Sequence, residues 1–159
     1  MTGRGGLRLS AKALHDIASI GYGGGVAAGL VINHTADRTA MAEFAVARQL
    51  FAAIAQYVLL PSMAVVVVSG LIALAATRAY MNAGWAWLKA LLGFTVFQAT
   101  LMLVSAARDQ AEMAAAGADA AAFDALLRAE RYTLWLLIAM AVVNVLLAVW
   151  RPRPSWKVR

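Results

Sequence analysis

Four apolar runs separated by polar links set the pattern of this chain. They cover residues 11–33, 54–77, 85–107 and 132–150. Each is near the roughly 20 residues that an α-helix needs to cross hydrocarbon. Backbone groups in lipid must bond within their own segment, so the runs are predicted to be helices. The period-2 alternation of a transmembrane barrel is absent. The links carry helical signals as well. Residues 38–53 are rich in Ala, Met, Glu, Gln and Arg, all good helix formers. They are expected to lead without a break into the second span, which Pro61 should bend because it lacks an amide hydrogen. Residues 111–131 are Ala-rich, with Phe123, Leu126 and Leu127 at helical spacing, and predict a short amphipathic helix on the outer surface. The short link between the second and third spans makes those helices antiparallel neighbours. The expected fold is all-α, an integral membrane four-helix bundle that forms one transmembrane domain over residues 1–159.

Composition supports lipid as the solvent. The chain is 63% hydrophobic and 14% charged, whereas soluble domains run near 45–50% apolar and about 25% charged. The net charge of +6 does not point to nucleic acid, because the basic residues sit at the chain ends and beside the apolar spans. Arg4, Arg8, Lys12, Arg78, Lys89, Arg151, Arg153, Lys157 and Arg159 fall on one side of the predicted bundle. Arg38, Arg48, Arg108, Arg128 and Arg131 fall on the other. The positive-inside rule then places both termini in the cytoplasm. Asp109, Glu112, Asp119, Asp124 and Glu130 lie in the third, outer link. Trp85, Trp87, Trp150 and Trp156 gather near the inner boundary as interface anchors. His15 and Asp16 interrupt the start of the first apolar run and no small-x-small cleavage site follows, so it reads as a retained span rather than a signal peptide. With no cysteine, disulfides, thiolate metal sites and Fe–S clusters are excluded.

The first span is the least hydrophobic and carries the most chemistry. His15 and Asp16 lie about one turn inside its inner boundary, and ionisable groups within a span are costly and often functional. The plainer reading pairs Asp16 with Lys12 one turn earlier and leaves His15 at headgroup level. Lys89 opens the third span at a similar depth. Taken alone it reads as a lysine whose stem lies along the span while its amine reaches phosphates. It shares a helix face with Gly93, Val96 and Thr100. Gly21, Gly25 and Gly29 form a stripe that lets two backbones approach, either within the chain or against a partner span or second copy. Gln98 and Asn144, and also Gln56 and Ser69, read as amides and hydroxyls that bond across helices. His34 is about 28 Å along the helix from His15, too far to share a metal with it. The methionines are scattered packing residues. No Walker loop, Rossmann fingerprint, zinc motif or nucleophile elbow is present.

Three short motifs in order resemble a known arrangement. Lys12-Ala13-Leu14-His15 opens the first span. Tyr57-x-x-Leu60-Pro61-x-Met63 with Ser69-Gly70-Leu71 marks the second, and Trp87-Leu88-Lys89-Ala90-Leu91 opens the third. This layout, over roughly residues 12 to 104, resembles the HemJ-type protoporphyrinogen oxidases. It is similar as well to the membrane part of CopD-type copper-resistance proteins and to uncharacterised four-span relatives. The first of these resemblances implies b-type haem, with His15 and Lys89 as the functional positions: His15 as haem ligand, Lys89 as propionate or substrate anchor. The stretch Gly21-Tyr22-Gly23-Gly24-Gly25 departs from the aromatic first span of the HemJ-type proteins and is closer to the uncharacterised relatives. The leading expectation is a haem-linked membrane oxidoreductase. The alternative is a non-catalytic accessory or scaffold subunit of a membrane complex, and copper handling is a third reading, undercut by the lack of cysteine and methionine clusters.

Overall fold

A computed structural model describes residues 3–37, 39–76 and 83–150. Arg38, Thr77, Arg78, the basic residues from Arg151 onward, Trp156, and the side chains of Arg4 and Arg8 lie outside that description. The described residues form four long helices: α1 (Gly3–Thr35), α2 (Met41–Ala76), α3 (Gly84–Ala115) and α4 (Phe123–Trp150). They alternate in direction. Each packs on its neighbour in sequence and α1 closes the ring against α4. We call the end where α1 begins proximal and the other distal.

Three helical segments, Met41–Ala76, Gly84–Ala115 and Ala120–Trp150, are long and apolar enough to cross a membrane. α1 is equally long but falls short in apolarity, because its glycine run and the His15-Asp16 pair dilute it. The burial pattern explains where its apolar residues went. Ala18, Tyr22, Val26 and Asn33 are buried at spacings of four, four and seven. Leu14, Ile17, Ile20 and Val31 point outward and are mostly exposed. Most of its large aliphatic residues thus face outward, the reverse of a soluble amphipathic helix.

From Met41 onward the first link joins the second span as expected, and α2 runs unbroken to Ala76. Pro61 does not interrupt it. A π-helical turn, Ala55–Leu59, precedes the proline, and the Leu60 amide donates to the Ala55 carbonyl five residues back. Widening the helix there relieves the crowding that the pyrrolidine ring imposes on the preceding turn. The region 111–131 is not one surface helix. α3 continues to Ala115 and ends in a left-handed Gly117 (φ 74°). Gly117 N donates to Ala114 O and Ala118 N to Met113 O, the Schellman pattern that satisfies the last carbonyls. A short 3-10 turn, Ala120–Ala122, then leads into α4 at Phe123. Phe123 and Leu127 are nonetheless buried as the spacing suggested, packing with Phe44 and Ala114 into a small distal core. The Phe44 and Phe123 rings meet edge-on, with centroids 4.9 Å apart. The main core occupies the middle of the bundle, built on Val26, Phe51, Leu59, Val96, Leu103, Leu134 and Leu137.

The glycine stripe is used within the chain. A Cβ on Gly25 would stand 2.7 Å from Leu59 Cδ2, one on Gly21 would stand 2.9 Å from Ser62 Oγ, and one on Gly29 would run into the Phe51 ring. α1 and α2 therefore approach closely enough that a methyl at any of these positions meets a side chain of α2. A partner span seated on the same three glycines has to displace α2.

Candidate functional site

Polar side chains occupy the bundle at three levels. At the proximal end, His15 is half-buried against α2. Its Nδ1 lies 3.2 Å from the Val66 carbonyl oxygen and 2.9 Å from Ser69 Oγ. Ser69 spends its own proton on the Val65 carbonyl, 2.6 Å away, or on that of Val66 at 3.1 Å. A carbonyl only accepts, so Nδ1 of His15 carries the hydrogen and donates it to this pair of oxygens. The Nε2 atom then keeps its lone pair. Gly70 lies beneath the ring: a Cβ there would be 3.9 Å from His15 Cε1, an ordinary contact.

Asp16 does not orient the imidazole. It pairs with Lys12 at 2.8 Å on the exposed side of α1, as the plainer reading expected. Lys89, half-buried at the start of α3, lies within electrostatic range of both His15 and Asp16. The topology thus brings a histidine and a lysine from the first and third helices to one level of the bundle. Among the described residues no three histidine, aspartate or glutamate side chains gather as a metal cage. His15 offers one nitrogen donor, Nε2.

At mid-bundle, Tyr22 of α1 reaches Thr100 of α3 at 2.9 Å. Thr100 is fully buried and donates to Val96 O at 2.7 Å, so the tyrosine hydroxyl is the donor in that contact. Lys89, Val96 and Thr100 share one face of α3 as predicted. Gln98 does not bond to another helix of the chain: it lies on the outer surface of α3. Asn144 donates to its own helix, at Met140 O.

The densest polar cluster is distal, and all four helices contribute to it. Arg48 of α2 has no exposed surface and makes a two-pronged pair with Glu130 of α4, with N···O distances of 3.1–3.2 Å. Asn33 of α1 donates to Glu130 Oε1 at 2.8 Å and to Leu127 O at 3.1 Å. Gln110 of α3 donates to Glu130 Oε2 at 3.1 Å. Arg131 Nε closes the cluster onto Asn33 Oδ1 at 2.9 Å. The Arg48 guanidinium also lies 5.1 Å from the centroid of Phe51. Glu130 therefore receives donors from three other helices, and the charge-assisted bonds compensate its removal from water. Two atoms, Arg48 Nε and Gln110 Oε1, are buried without a partner among the described residues. A cleft of about 240 Å³ opens beside this cluster, lined by Asn33, His34, Arg128 and Arg131 among others. His34, exposed there, donates from Nδ1 to Leu30 O and stands at the far end of α1 from His15.

Sequence reasoning missed this cluster. Arg48 reads as a topology charge, Glu130 as one acid of an outer link, and Gln110 as nothing in particular. The available signal was positional: Asn33, Arg48, Gln110 and Glu130 each lie within about two turns of the distal end of a different apolar run.

No family model, curated protein or solved structure matches this chain.

Proposed function

We propose that the protein is a b-type-haem-linked redox protein of the bacterial inner membrane, with α1 as a fourth span and both termini cytoplasmic. The outward row of Leu14, Ile17, Ile20 and Val31 supports the fourth span, since such a row has no use for water. The observation that carries the haem reading is the fixed tautomer of His15. A donor hydrogen bond from Nδ1 to protein oxygens is the arrangement that aims an imidazole and strengthens its other nitrogen as a ligand.

The residues present fit that group. His15 Nε2 would hold the iron, and Lys89, a cation at the same level, would pair with a propionate. Bound haem would supply one-electron transfer. The chain's own part is to hold the ring through Ser69 and Val66, to keep Asp16 occupied by Lys12, and to place the Lys89 amine at the level of an anionic group.

The test is spectroscopic. Protein purified in detergent with haem supplied is expected to show a Soret band. His15→Ala should lose most of that band, and Ser69→Ala should weaken and shift it, because the ring loses one of its two orienting oxygens. Lys89→Ala should lower haem retention while leaving the band position nearly unchanged. A natural protein that stays colourless after haem is supplied overturns the redox reading and leaves the accessory-subunit alternative.

A further inference from the structure

Gln98 is a primary amide in the middle of α3, and it faces out of the bundle. It is fourteen residues from Gly84 and seventeen from Ala115, so it sits near the centre of one of the three membrane-length helices. No other described side chain or backbone group hydrogen-bonds to it. Its stem is far too short to reach a headgroup roughly 15 Å away. In hydrocarbon an amide with two donors and an acceptor left bare is costly, and the cost is relieved by an amide or hydroxyl on another helix.

The surroundings of Gln98 have the spacing of a helix–helix seam. Leu91, Thr95, Gln98, Met102 and Ser105 follow one another at steps of four, three, four and three. All five are exposed, Leu91 at 65% and Met102 at 66%. A 3.5-residue repeat of this kind is the seam of a left-handed helix pair, and one polar residue within it fixes register.

We propose that this face of α3 docks against the same face of a second copy of the chain, with Gln98 bonded to Gln98. Two features single out a second copy. Copies inserted in the same orientation hold Gln98 at the same depth, so a twofold axis along the membrane normal brings the two amides together directly. A primary amide is also complementary to itself, each giving one N–H and accepting one in return. The inference rests on α3 crossing the membrane and is independent of haem.

The chain lacks cysteine, which makes cross-linking clean. In full-length protein in lipid vesicles, Met102→Cys is expected to give an oxidised dimer. Val143→Cys, on the exposed face of α4 near mid-span, should not. Adding Gln98→Leu to Met102→Cys should abolish most of the cross-link, while Gln98→Asn keeps it. Energy transfer between labelled copies, diluted in lipid, should show about a tenfold weaker association for Gln98→Leu. Equal cross-linking at both cysteines, or unchanged association of Gln98→Leu, overturns the proposal. A cross-link from Met102→Cys to a different protein in native membranes overturns the second copy as the occupant. If α3 does not span, Met102→Cys will react with a membrane-impermeant thiol reagent, which separates that failure from a monomeric but inserted protein.

Discussion

Replacing Glu130 with alanine should destabilise the bundle by about 3–5 kcal/mol, the usual result of deleting one partner of a buried ion pair. The size follows from what is left behind. Arg48, with no exposed surface, loses its counter-ion and keeps its charge. Asn33 and Gln110 lose acceptors, and Gln110 already has a buried oxygen without a partner. Glu130→Gln should cost less, since it keeps an acceptor for Asn33 or Gln110 while removing the charge. Arg48→Met combined with Glu130→Leu should be more stable than Glu130→Ala alone, because apolar residues of similar volume avoid the orphaned charge. The measurement is reversible unfolding in mixed micelles, followed by helical circular dichroism. A Glu130→Ala protein within about 0.5 kcal/mol of the natural one, the range of an ordinary surface change, would mean that the pair does not form.

Much of the architecture could be read from the residues because one physical rule dominates it. Lipid forces backbone groups into helices, so apolar run length fixed the helices and their alternating directions. The glycine stripe was legible as a close-approach face, but Gly21, Gly25 and Gly29 left open whether its partner was a helix of the same chain or of another, and the structure supplies α2. The same patterns were blind to what happens at the distal boundary. Helices overrun a membrane freely, so 111–131 looked like a surface helix when it is the end of α3 and the beginning of α4. Burial outside the lipid depends on which helix ends meet, and periodicity within Arg48–Ile54 cannot show that Arg48 will find Glu130, eighty-two positions away. Gln98 misled for the opposite reason. A polar residue in a span suggests an inward bond, but its face is set by neighbours: Val96 and Thr100 claim the interior of α3 and turn Gln98 outward. At the proximal end the nearness of His15 to Lys89 followed from topology, whereas the imidazole's partners Ser69 and Val66 had no signal in the residue pattern.

Gly29→Ala should destabilise by about 1–3 kcal/mol, the second largest effect expected, and the glycines of α1 should rank in a fixed order. The added methyl at 29 meets the ring of Phe51, which is fully buried and lies against the Arg48 guanidinium. That ring cannot step aside without disturbing the distal cluster. At Gly25 the methyl meets Leu59 Cδ2, the end of a side chain that is buried but can rotate, so the cost should be smaller. At Gly21 it meets the hydroxyl of Ser62, which can turn away, and the cost should be slight. Gly23 and Gly24 face open space, and alanine there should be neutral or stabilising, because it reduces chain entropy in the unfolded state. The seam also holds His15 against Ser69, so Gly29→Ala should broaden the response of the imidazole in a nuclear magnetic resonance spectrum, whereas Gly23→Ala should not. If all five substitutions proved equal, α1 would not lie on α2 through this stripe, and the glycines would be free for a partner.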